Sequence, residues 1–164
     1  MPLITRLVRA AALALLLVPV AAPAFAGPSE AAFLERLAGT WRGKGTITGP
    51  ESGAVTCRLT LRASGERLNF NGRCAFSGGG AAQSFSGSIR YNEAKGLYES
   101  SSSGQTVAGK KSGSTLTFSS TQKDLRGTVT STMTLSPAAL KVQFKMVNAR
   151  TGEASQGSIP FSKG

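Results

Sequence analysis

The sequence predicts an all-β chain, an antiparallel up-and-down β-barrel of about eight to ten strands with a short helix in front. Three observations predict it. Apolar and polar residues alternate from Trp41 almost to the end of the chain. Turn signals such as "ASGE", "NEAKG", "KSGS" and "ARTGE" recur at roughly 8–12-residue intervals. Hairpin also follows hairpin, without the longer crossings of a Greek key, which favours a closed barrel over a sandwich.

The chain has 164 residues, and its first 26 read as a leader. Arg6 and Arg9 precede the apolar run "AALALLLVPVAA", and Ala24–Ala26 has the small-x-small pattern of a cleavage site. The run is short for a membrane span and contains Pro19, so cleavage after Ala26 is expected and no transmembrane span after it. No cysteine follows the run closely enough for a lipid anchor. The expected location is periplasmic or secreted. Residues 27–164 then form one domain, long enough to bury a core.

From Gly27 to Ala38 the pattern is helical. Glu30 suits a first turn, Phe33, Leu34 and Leu37 share a face, and Gly39 ends the run. The period then changes to two. Trp41, Gly43, Gly45 and Ile47 begin the inward series, and Val55, Cys57, Leu59 and Leu61 continue it. Leu68, Phe70, Gly72, Cys74 and Phe76 follow, then Phe85, Gly87, Ile89 and Tyr91. "GLYESSSSG" and "QTVAGKK" are only weakly patterned. "STLTFSS" is clearer, and "LRGTVTSTMTL" puts Leu125, Val129, Met133 and Leu135 in phase. Leu140, Val142, Phe144 and Met146 share a face, and Ile159, Phe161 and Lys163 close the chain. Inward glycines suit strands that coil strongly enough to close.

The chain has no histidine, which removes His-based acid–base and triad chemistry and the commonest zinc and haem ligand. No paired constellation of carboxylates or serines stands out either. The expectation is a protein without catalytic apparatus, cofactor or metal.

A short helix, then "GTWRGKG" (Gly39 to Gly45), then a long meander resembles the calycin superfamily of lipocalins, fatty-acid-binding proteins and nitrobindin-like haem barrels. The resemblance implies that Trp41 plugs a closed barrel end, with a cationic side chain, here Lys163, packed across it. It carries over no ligand. The haem-ligating histidine is missing, "IPFSK" stands where fatty-acid-binding proteins have Arg-x-Tyr, and the second lipocalin motif is absent. "LAGTWRG" followed by "CRLTLRASGERLNFNGRC" is also similar to bacterial periplasmic metalloprotease inhibitors. That likeness implies an N-terminal segment, Gly27 to Ala31, that enters a protease cleft, although the later Trp-containing strand of those inhibitors is missing.

Cys57 and Cys74 share the inward parity of successive strands, and an even pair in an exported chain reads as a disulfide. A four-residue loop at Ser64–Arg67 would set them face to face; a two-residue turn would make them diagonal neighbours. Phe70, Phe85, Tyr91, Phe118, Phe144 and Met146 are the candidate lining of an interior ligand site, or simply fill the barrel. Glu99 shares the parity of Leu97; if that parity is inward, its carboxylate needs a polar cavity or a cationic partner.

Formal net charge is +11, falling to about +9 without the leader. Arg42, Lys44, Arg58, Arg62, Arg73 and Arg90 fall on the outward parity of the first four strands. Such a face suits anionic envelope lipid or polysaccharide. Nucleic acid is not expected, because the aromatics point inward and leave no stacking platform. The functional expectation is a small apolar or amphipathic ligand, or an anionic envelope component. Protease inhibition and a structural envelope role are the alternatives.

Overall fold

Pro28 fits the first position of a helix, where its missing N–H is no loss, and the helix it opens is α1, Pro28–Leu37. Phe33, Leu34 and Leu37 are fully buried on one face of it. Gly39, at φ +142°, turns the chain out of the helix into the first strand. In this computed structural model, which describes residues 28–50, 52–77 and 82–164, ten strands follow α1. They are β1 (Gly39–Thr48), β2 (Gly53–Ser64), β3 (Arg67–Phe76), β4 (Gln83–Asn92) and β5 (Leu97–Ser102). Then come β6 (Gln105–Ser112), β7 (Thr115–Asp124), β8 (Gly127–Leu135), β9 (Leu140–Asn148) and β10 (Ala154–Lys163). The expected leader, residues 1–26, lies outside the described residues.

Each strand pairs antiparallel with the next, and β10 returns to β1, so the sheet closes as a ten-stranded barrel with no open edge. The closing register sets Trp41 opposite Lys163 and Gly43 opposite Phe161. Helix α1 packs at one end against β2, β3 and β4. Trp41 is fully buried there, and its indole Nε1–H donates to the Leu37 carbonyl at 3.2 Å. Lys163 Nζ donates to the Arg36 carbonyl at 2.9 Å and lies 5.4 Å from the Trp41 ring centroid. Helix, indole and lysine together close that end of the barrel.

A second cluster holds the start of α1 down. Lys111 Nζ forms an ion pair with Glu30 at 2.8 Å, and the Tyr98 hydroxyl donates to the same carboxylate. Lys111 Nζ also sits 4.8 Å from the Phe33 ring centroid, a cation over an aromatic face. Burial raises the Tyr98 hydroxyl well above its ordinary value, and the Glu30 carboxylate adds to that. Burial also works to raise Glu30, but the hydrogen bonds from Lys111 and Tyr98 outweigh it and leave the carboxyl lowered.

Three details depart from the sequence pattern. Leu125, expected in phase on a strand, lies in the turn between β7 and β8 and is fully exposed, because Asp124 pairs with Gly127 and closes the hairpin there. Asp124 accepts from the Arg126 and Gly127 backbone N–H groups, which fixes that turn. The β2–β3 hairpin closes through two residues, Gly65 and Glu66, with Ser64 paired to Arg67. Even so, Cys57 stands directly opposite Cys74. The expected diagonal offset does not arise, since the four-residue and two-residue loops share one centre and therefore one register. Cys57 and Cys74 are disulfide-bonded, with Cα atoms 4.1 Å apart.

Glu99 is the third. Tyr98, Ser100 and Ser102 take the inward parity of β5, so Glu99 faces outward, directly opposite Arg90. It is nevertheless buried, under Arg90, Asn92 and Lys95, which donate to its carboxylate at 2.9, 3.0 and 2.9 Å. The bonds from Lys95 and Asn92, with Arg90 behind them, lower its carboxyl against the opposing effect of desolvation. Among the described residues no helix is long and apolar enough to cross a membrane.

Candidate ligand cavity and outer basic wall

The barrel interior holds a cavity of about 380 Å³. Phe70, Phe85, Phe118 and Phe144 line it, with aliphatic side chains such as Val107, Met133 and Val142 between them. Ser100, Ser102, Ser120, Ser131 and Gln83 give one side of the wall hydroxyl and amide groups. The cavity is therefore apolar with a polar stripe, the usual make-up of a small-molecule site. Hydropathy alone does not reveal this stripe. Ser120 is in phase with Leu116 and Phe118, and Ser131 with Met133 and Leu135, so strand parity was the signal that could have found them.

Two of the expected lining residues lie elsewhere. Tyr91 sits beyond the cavity, 5.1 Å from Tyr98 between ring centroids, because β4 carries it to the helix-closed end. Met146 is exposed in a separate depression near the turns that follow β7 and β9.

The reason the cavity stays open is a repeated pairing. Phe70 lies opposite Gly87, Phe85 opposite Gly72, Phe118 opposite Gly109, Phe144 opposite Gly157 and Phe161 opposite Gly43. In every pair a Cβ on the glycine would overlap the ring. Each ring thus takes the space of the missing side chain, against the wall, rather than the barrel axis. An aromatic over a strand glycine also shields backbone that would otherwise be bare.

Outside, the structure brings some of the basic residues together. Arg42 stands opposite Arg58, and Arg58 opposite Arg73, a row across β1, β2 and β3. Lys44 lies opposite Thr56 and Arg62 opposite Asn69. Arg90 does not belong to a continuous free basic face, because its guanidinium is committed to Glu99. The segment expected to enter a protease cleft is also committed: its residues from Pro28 onward form the first turn of α1, with Glu30 held by Lys111 and Tyr98. Gly27 lies outside the described residues.

A closed ten-stranded antiparallel barrel with one end shut by a short helix is a calycin-like architecture. No family model and no curated protein sequence matches the chain. Among solved structures, the chain resembles Rv2717c from M. tuberculosis, with a TM-score of 0.59 at 10% identity, over 84% of this chain and 98% of that one. It also resembles the S-type phycobiliprotein lyase CPES from Guillardia theta, with a TM-score of 0.59 at 9% identity, over 81% and 91% of the two chains. At such identities the likeness is one of fold. It corrects one expectation: a barrel of this architecture carries the name of a lyase, so the lack of histidine does not make the scaffold non-catalytic. What the missing histidine excludes is His-based chemistry alone.

Proposed function

We propose that residues 27–164 are the exported part of the chain and that the barrel binds a small apolar or amphipathic molecule in its interior. The observation that carries this is the open cavity. Its volume of about 380 Å³ falls within the usual range for small-molecule sites. Phe70, Phe85, Phe118 and Phe144 would contact the apolar body of the ligand. The serines of β5, β7 and β8 would receive a hydroxyl or carbonyl group. A disulfide-bonded pair fits an oxidising compartment, which supports a periplasmic or secreted location.

Native mass spectrometry of protein purified from its own cell envelope tests this. A bound mass that disappears on denaturation is expected, together with binding of a fluorescent fatty-acid probe. Ser131→Leu, which projects a larger side chain into the cavity, should abolish probe binding and leave the far-ultraviolet spectrum unchanged. Bare polypeptide that binds no probe removes the proposal.

A further inference from the structure

The strands of this barrel are nearly free of carboxylates. Among the described strand residues, only Glu99 on β5 and Asp124 at the end of β7 are acidic. Glu99 is enclosed by Arg90, Asn92 and Lys95, and Asp124 is bound to its own turn and to Arg126. The outer wall of β1, β2 and β3 therefore presents arginines to one another with no acid between them.

Like charges directly opposite on adjacent strands destabilise a sheet. Arg58 meets this on both sides, from Arg42 on β1 and Arg73 on β3. Among the described residues none of the three takes part in an ion pair. All three arginines are exposed, and Arg42 lies at the end of the row on β1. Arg58 and Arg73 border a shallow outer depression of about 510 Å³ with Thr60, Asn71, Ser84 and Ser86. Two guanidinium forks and a set of neutral hydrogen-bond donors thus face one spot on the wall.

We infer that this depression is a binding site for a phosphate monoester. The guanidinium fork matches the oxygens of a phosphate in bidentate geometry. A monoester carries roughly 1.5 to 2 negative charges near neutral pH, which matches the paired charges of Arg58 and Arg73. The Thr60 and Ser84 hydroxyls and the Asn71 amide add donors to the remaining oxygens. The surrounding wall argues for a soluble ligand over a bilayer. Thr40, Thr60, Asn71, Ser84 and Ser162 surround the row, and Phe85, whose ring lies over Gly72, is the single large apolar side chain that borders the depression. The two arginines lie on the outer face of the wall, and Phe85 is the one large side chain that this depression shares with the interior cavity.

Thermal unfolding of the full chain at low ionic strength, with phenyl phosphate as the probe, tests the assignment. The midpoint should rise with probe concentration for the wild type. Arg58→Gln and Arg73→Gln should each lower the apparent affinity by roughly tenfold or more. Lys145→Gln, on the outer side of β9, should leave it unchanged. Without probe, Arg58→Gln should melt higher than the wild type, since it relieves repulsion from two neighbours; both arginines point outward, so the variants keep the core. The assignment is overturned if phenyl phosphate causes no shift, or if the shift survives in both arginine variants. It is equally overturned if the protein sediments with phosphatidylglycerol vesicles while phenyl phosphate neither binds nor competes.

Discussion

The Phe85 ring occupies the space over Gly72, its direct partner across β3 and β4, where a Cβ would collide with the ring. The pairing has a consequence for the lumen. A larger residue at position 72 forces Phe85 either out of its place or toward the barrel axis. Gly72→Ala should destabilise the fold by roughly 1–3 kcal/mol, the usual cost of overpacking. In a chain that already carries Phe85→Ala, the same glycine substitution should cost far less. Urea unfolding of the two single variants and the double variant measures the coupling, and simple additivity would show that ring and glycine do not share the space.

Trp41 and Lys163 close the opposite end of the barrel. Lys163→Met keeps the aliphatic stem over the indole and removes the charge. It should cost roughly 0.5–1 kcal/mol for the cation over the ring, with the lost hydrogen bond to Arg36 in addition. Trp41→Ala empties a fully buried site and should cost about 3–5 kcal/mol. Its indole also anchors α1 through Leu37, so hydrogen exchange in the helix should rise in this variant before it rises in the strands.

The disulfide between Cys57 and Cys74 joins β2 to β3 across a sequence separation of 17. In the chain-entropy picture a loop of that length stabilises the fold by roughly 3 kcal/mol. Reduction should lower the midpoint of urea unfolding correspondingly, and the double Cys→Ala variant should behave like the reduced protein. Because both cysteines line the cavity, probe affinity should also change on reduction. An unfolding midpoint unmoved by reductant would show that the register is held without the bond.

The fold was legible in the sequence because strand parity is local: Trp41, Cys57, Phe70, Phe85, Phe118 and Phe144 could each be assigned a face from their neighbours alone. Strand β5 was hard to read because serine replaces apolar residues at Ser100 and Ser102, so alternation of hydropathy vanishes where the wall turns polar. The side that Glu99 faces stayed open for the same reason. Its burial comes from Arg90 across the strand pair and Lys95 in the turn, and neither contact can be seen before the register is known. The phenylalanine–glycine pairs were hidden likewise, since each depends on the lengths of the intervening turns. Leu125 looked like a strand residue by phase, and only the Asp124–Gly127 turn placed it outside.

Acid stability should separate the two paired carboxylates, Glu30 and Glu99, from the general charge of the protein. Glu30 and Glu99 both have folded-state values below the ordinary 4.5. A carboxyl lowered on folding contributes stability that is fully present above its unfolded value and is lost as pH falls through its folded value. The melting temperature should therefore hold near neutrality and begin to fall below about pH 5. Glu30→Gln and Glu99→Gln should each melt lower than the wild type at pH 7 and show a shallower acid decline, because the titrating group is gone. Rising net positive charge destabilises all forms alike at low pH, so the difference between variant and wild type isolates the carboxylates. In the Glu30 case the loss at pH 7 should appear as fraying of α1, since Lys111 and Tyr98 would lose the charge that holds the first turn. Melting curves from pH 7 to pH 3 decide the matter. Parallel acid limbs for the wild type and both variants would show that neither carboxylate is linked to folding.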